Sequence, residues 1–186
     1  MLKRGKYFEF LVLFGVFGST FADPICQLEG VPAATLHGKM ATIYSVRYAR
    51  GLEAVIHFNV VRHNPCPGSG GCKWIFNHCK GNEFSLESKR YRGSHMFANI
   101  AQAVSHFNKN KGQACADPGY RWKVWYDRCS NHYYLQNTYF GDWLDASETG
   151  LVKHTACKTN PFGTTDSCGD WRRWRFEDMT VRYDSQ

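Results

Sequence analysis

Asn137, Tyr139, Asp142 and Trp143 stand within one short stretch and together carry the chemistry of a shallow sugar site. An aromatic plane covers the apolar face of a sugar ring, while a carboxylate and an amide hold its hydroxyls. The same residues also have a structural use: Trp143 as the cap of a barrel, Asp142 and Asp145 as turn residues around Gly141. A second chemistry, anion binding, is offered by Lys89-Arg90-x-Arg92, Lys109-x-Lys111 and Arg172-Arg173-x-Arg175. Such groups meet sulfated or phosphorylated polyanions, or simply make a solvated face.

Catalysis has no comparable constellation. The chain contains no Gly-x-Ser-x-Gly elbow, no His-Glu-x-x-His and no phosphate-cradling glycine loop. No catalytic residue, cofactor or enzymatic activity is therefore expected. Cys66, Cys72 and Cys79, with His63 and His78, are zinc-ligand types, but they lack a Cys-x-x-Cys knuckle, and the eight histidines form no pair at helical or strand spacing. No metal is expected.

The elements that must position these residues read as strands. Tyr134 to Ala146 forms two short strands joined at Gly141, with relatives at residues 84–98 and 42–56. Each has an aliphatic residue, Ser or Asn two positions on, a tyrosine, a glycine and an apolar residue three after that glycine. Gly51, Gly93 and Gly141 are spaced by 42 and 48 positions, a period that signals a repeat architecture. Tryptophan strands accompany the hairpins: Trp74-x-Phe76, Trp122-x-Val124 and Trp174-x-Phe176 place both side chains on one face. The same alternation points Arg173 and Arg175 the other way, and Leu135 and Leu144 read as core. Residues 100–107 carry the helical pattern, ended by Asn108-Lys109-Asn110-Lys111-Gly112. Aromatic residues make up 16% of the chain, which with so little helical period argues for an all-β protein.

Residues 1–22 read as a signal peptide: Lys3, Arg4 and Lys6 precede a compact apolar core, and cleavage is expected before Asp23. That core is too short to span a bilayer of ~30 Å hydrocarbon, so no membrane span is expected. Loss of three cations and Glu9 with the leader lowers the formal charge from +7 to +5. The protein is expected to be secreted, with residues 23–39 as an N-terminal arm and 40–186 as one domain. Cys26, Cys66, Cys72, Cys79, Cys115, Cys129, Cys157 and Cys168 all follow the leader, and an even number in an exported chain argues for disulfides. Spacing suggests Cys66 with Cys72 or Cys79, and Cys157 with Cys168. The extracellular compartment makes nucleic acid an unsuitable partner.

Three units of this layout resemble a β-trefoil, and the pattern is similar to fascin-type and ricin-B-type repeats. Leu86, Ser88, Gly93, Met96 and Ala98 match, as do Leu135, Asn137, Gly141, Leu144 and Ala146, whereas the first unit matches at Ile43, Ser45, Gly51 and Ala54. The resemblance covers residues 40–182 and implies a barrel with one hydrophobic layer from each repeat. A fainter likeness joins it to small secreted Cys- and Trp-rich trefoil proteins of blood-feeding insect saliva. The ricin-type Gln-x-Trp signature is absent: Tyr120-Arg121-Trp122 and Gly169-Asp170-Trp171 stand in its place. Trefoils host lectins, cytokines and protease inhibitors alike. The expectation is a disulfide-braced β-trefoil with one short helix near 100–107. It binds a glycan through Asn137, Tyr139, Asp142 and Trp143. The alternative partner is an extracellular protein or polyanion, met through Lys89, Arg90, Arg92, Arg172, Arg173 and Arg175.

Overall fold

Three copies of a four-strand unit close on one another, and the last strand of the chain completes the first copy. A computed structural model describes residues 28–66, 70–156 and 170–181. The leader, Cys26, Cys157 and Cys168 lie outside the described residues. After β1 (Leu28–Gly30) and the one-turn α1 (Ala33–Leu36) come β2 (Lys39–Ser45), β3 (Arg50–Val55) and β4 (Val60–Asn64). The second unit has β5 (Lys73–Lys80), β6 (Glu83–Ser88), β7 (Ser94–Ala98) and β8 (Val104–Asn108), followed by α2 (Lys111–Ala116). The third has β9 (Arg121–Asp127), β10 (His132–Asn137), β11 (Trp143–Ala146) and β12 (Val152–Thr155). β13 (Trp174–Val181) ends the described chain.

Six antiparallel pairings close the barrel: β13 with β2, β2 with β5, β5 with β6, β6 with β9, β9 with β10, and β10 with β13. Closure removes the exposed edges that an open sheet would present. The hairpins β3–β4, β7–β8 and β11–β12 cap one end, tied to each other through Val60 with Ser105, Arg62 with Leu151, and Ala103 with Lys153. This is the β-trefoil architecture.

The repeat pattern is exact in register. Trp174, Trp74 and Trp122 stand opposite Ser45, Ser88 and Asn137, and two residues on, Phe176, Phe76 and Val124 stand opposite Ile43, Leu86 and Leu135. Period-two alternation turns the tryptophans and aliphatics inward, where all but the half-buried Phe176 are buried. Each indole N–H donates to a main-chain carbonyl of the preceding unit: Trp74 to Leu52 at 3.0 Å, Trp122 to Met96 at 3.3 Å and Trp174 to Leu144 at 3.2 Å. The large aromatics thus fill the core without stranding a buried polar group.

This register corrects the first repeat. Leu52, not Ala54, is the partner of Met96 and Leu144, and Ala54 is the partner of Ala98 and Ala146. The left-handed turn residue of the first unit is therefore Ala49 (φ 50°), matching Gly93 (77°) and Gly141 (71°). Gly51 has a different reason to be glycine. A Cβ there would collide with the Cys66 sulfur, itself bonded to Cys72.

Residues 104–108 are strand, not helix. Val104 and His106 point inward in alternation, and β8 pairs along its length with β7. The preceding residues form a turn held by Asn99, whose Oδ1 accepts the N–H groups of Ala101 and Ala103 at 2.9 and 3.1 Å. The Asn110 region does not stop a helix but starts one. Asn110 caps α2 by accepting the Gln113 N–H at 2.8 Å, and the Gln113 side chain accepts the Asn110 N–H at 3.2 Å. Two disulfides between described residues brace the loops. Cys66–Cys72 closes a short loop, as one of the two expected pairings has it, and Cys79–Cys115 ties β5 to α2.

Candidate functional site

The hairpin ends β4, β8 and β12 each carry a Val-x-His triplet: Val61-Arg62-His63, Val104-Ser105-His106 and Val152-Lys153-His154. The valines enter the core, and alternation turns the histidines inward beside them, buried. Every one of these imidazoles is stacked on an aromatic ring from the turn of its own unit. The centroid separations are 4.9 Å for Tyr48–His63, 5.7 Å for Tyr91–His106 and 4.7 Å for Phe140–His154. Their Nε2 atoms reach the carbonyls of the neighbouring unit: His63 to Ser147 at 2.6 Å, His106 to Val55 at 3.2 Å and His154 to Asn99 at 2.7 Å. Main-chain bonds run alongside, from His63 N–H to Gly150, His106 N–H to Asn59 and His154 N–H to Gln102. The histidines stitch the three hairpins together. Their recurrence as Val-x-His was the signal in the sequence, visible only when histidines are compared across repeats instead of as neighbouring pairs.

The three copies differ at Nδ1. His106 Nδ1 meets the Ser94 hydroxyl at 2.6 Å, His154 Nδ1 lies 3.0 Å from the Asp142 carboxylate, and His63 Nδ1 has no hydrogen-bond partner among the described residues. Burial pushes the imidazoles of His63 and His106 below their usual range. The Asp142–His154 pair has the look of an acid–base dyad. Both ring nitrogens are engaged and Phe140 covers a ring face, which leaves no nitrogen turned toward a ligand.

Beside these stacks open two clefts related by the threefold pattern. One, of about 470 Å³, lies between the second and third units. Phe97, Asn99, Ile100, Asp117, Tyr139 and Phe140 line it. Tyr139 is 66% exposed and Ile100 91% exposed, so both walls present apolar side chains to solvent. The other, of about 420 Å³, lies between the first and second units, with Tyr91 and His106 at the positions of Phe140 and His154, and Ile56 at the position of Ile100.

The four residues expected at a sugar site part company here. Asn137 is fully buried: Nδ2 donates to the carbonyls of Gly119 at 3.0 Å and Arg121 at 3.3 Å, while Oδ1 accepts the N–H groups of Tyr139 and Phe140. It builds the turn and has nothing left for a ligand. Trp143 is 8% exposed and packs edge-to-face on Tyr134. Asp142 is held by His154. Tyr139 alone of the four faces an open cleft.

The basic groups are corrected in the same way. Arg172 is buried, donating to Thr155 Oγ1 at 2.5 Å beside the Asp145 carboxylate, so it is not a surface anion contact. Arg90 pairs with Glu53 at 3.3 Å, Arg173 with Asp170 at 3.0 Å and Arg175 with Glu177 at 2.9 Å. Lys89 and Arg92 keep exposed side chains and have no carboxylate within salt-bridge distance among the described residues. No helix among the described residues is long and apolar enough to cross a membrane.

No family model matches the chain, and neither does any curated protein. Its likenesses are to solved β-trefoils. The designed threefold-symmetric protein ThreeFoil superposes with a TM-score of 0.59 at 14% identity, over 74% of this chain and 96% of its own. A ricin B-like lectin of Macrolepiota procera, solved in complex with lactose, gives 0.56 at 17% identity over 75% and 95%. The SDF2-like protein of Arabidopsis thaliana gives 0.59 at 11% identity over 83% and 98%. The chain has the β-trefoil fold that these proteins share.

Proposed function

We propose that this is a secreted, non-enzymatic carbohydrate-binding protein that meets its glycan at the cleft between the second and third units. The observation that carries the reading is Tyr139, a 66% exposed aromatic ring at the rim of a cleft of about 470 Å³. A cleft of this size with apolar walls and few polar groups is the common form of a small-ligand site. The Tyr139 ring offers a plane for the apolar face of a sugar, and its hydroxyl and the Asp117 carboxylate offer polar contacts at the rim. Asp117 spends Oδ1 on the Gly119 N–H at 2.9 Å. A lactose-bound lectin among the structures of this fold supports the ligand class. Two disulfides support an oxidising compartment.

The test is a glycan array followed by calorimetric titration of the best uncharged sugar into the wild-type protein and its Tyr139→Ala variant. Binding lost in the variant, with unfolding unchanged, is the expected result. An array without a response, or a variant that binds like the wild type, rejects the site.

A further inference from the structure

The second cleft has a different character from the first. Ile56, Tyr91 and Phe107 supply apolar walls, and Asn59, Arg92 and Asn108 supply polar atoms. Among the described residues, none that lines it is acidic. At its base Ser94 and the Val55 carbonyl hold both nitrogens of His106, and burial favours the neutral ring, so the positive charge of the cleft comes from Arg92.

Arg92 stands out among the arginines. Arg90, Arg121, Arg128, Arg172, Arg173 and Arg175 each meet a carboxylate. Arg47 lies over the Trp171 ring at 3.9 Å. Arg50, Arg62 and Arg92 have no carboxylate within salt-bridge distance among the described residues, and of these Arg92 lines the cleft. A guanidinium presents a planar fork of donors that fits a carboxylate or sulfate with two parallel hydrogen bonds.

We infer that this cleft binds an anionic sugar, one bearing a carboxylate or a sulfate, with Arg92 as the contact to the charged group. Tyr91 and Ile56 stand at the positions that Phe140 and Ile100 occupy in the neighbouring cleft, so the two clefts share a frame for a sugar ring and differ in charge. Asn59 and Asn108 lie at hand for ring hydroxyls. The inference rests on the carbohydrate reading for its ligand class and not on the Tyr139 cleft.

The experiment titrates a sialylated lactose, a 6-sulfated N-acetyllactosamine and uncharged N-acetyllactosamine into the wild-type chain and its Arg92→Gln and Tyr139→Ala variants. At least one anionic sugar binds the wild type more tightly than the uncharged one, and the two arms tell carboxylate from sulfate. Arg92→Gln weakens that sugar by about tenfold or more, the usual cost of losing a charged hydrogen bond, and leaves the uncharged sugar unaffected. Tyr139→Ala leaves the anionic sugar in place. Should Tyr139→Ala also leave the uncharged sugar bound, the reading of the first cleft fails and this one stands. Anionic sugars that bind no better than the uncharged one, or that bind Arg92→Gln as they bind the wild type, overturn the inference.

Discussion

Trp174 donates its indole N–H to the carbonyl of Leu144 at 3.2 Å, joining the last strand to the cap hairpin of the third unit. Because β13 also pairs with β2, this one residue sits where the two ends of the barrel meet. Trp174→Phe keeps most of the ring but leaves a buried carbonyl unpaired, a loss of about 1–3 kcal/mol. Trp174→Ala adds a cavity and costs about 3–5 kcal/mol. Trp74 and Trp122 make the same bond, so their phenylalanine variants should fall in the same range by denaturant unfolding. A Trp174→Phe protein as stable as the wild type would show that the bond contributes nothing.

The barrel was legible in the sequence because its signal is long and periodic. Leu135, Leu144 and the three Trp-x-apolar strands all fall in the core where alternation puts them. The first repeat hides its alignment because its turn residue is Ala49, an alanine in a left-handed conformation, and a glycine, Gly51, follows two positions later. Residues 100–107 looked helical because Ile100, Ala101, Ala103 and Val104 crowd together, although Ile100 and Ala101 belong to an exposed turn. The sugar-site residues were less legible. Asn137 and Trp143 are ligand-like in type, and only the register shows that one stands beside Trp122 on the neighbouring strand while the other packs on Tyr134. Arg92 is one basic residue among Lys89, Arg90, Arg172, Arg173 and Arg175, and nothing in a linear charge run tells which of them finds a carboxylate.

Ala49 and Gly51 make opposite predictions two residues apart. Ala49 holds φ 50°, which costs an L-residue about 1–2 kcal/mol that glycine does not incur. Ala49→Gly should therefore raise the thermal midpoint, by somewhat less than that full amount because glycine also loosens the unfolded chain. Gly51→Ala drives a methyl into the Cys66 sulfur and should cost about 1–3 kcal/mol. Differential scanning of both variants checks the aligned register, and a stabilising Gly51→Ala would refute it.

The Cys79–Cys115 and Cys66–Cys72 disulfides should differ in worth. Cys79–Cys115 spans 36 residues and Cys66–Cys72 spans 6. The loop-closure argument assigns about 4 kcal/mol to the longer and about 2 kcal/mol to the shorter. Paired alanine replacements, unfolded in urea, should follow that order. Equal losses would mean that native packing around the bridges outweighs the entropy of the unfolded chain.

Acid should destabilise the fold through its buried histidines before it reaches the carboxylates. Burial is the leading cause that lowers His63, His95 and His106, all three within the core of the cap or its hairpins. Their unfolded value lies at about 6.5. Above it the rings are neutral in both states and pH has no grip. As pH falls through that value the unfolded chain takes up protons that the folded chain refuses, so stability declines until the folded values are passed. The slope reaches about 1.4 kcal/mol per pH unit for each such histidine. Asp145 works in the opposite sense, since burial raises its carboxyl and the folded form holds the proton more firmly, but it starts from the carboxylate range. Urea unfolding between about pH 7 and pH 5 should therefore show falling stability, with a shallower slope in His106→Asn, which removes one titrating ring. A flat profile across that window would mean that the cap admits the imidazolium forms without cost.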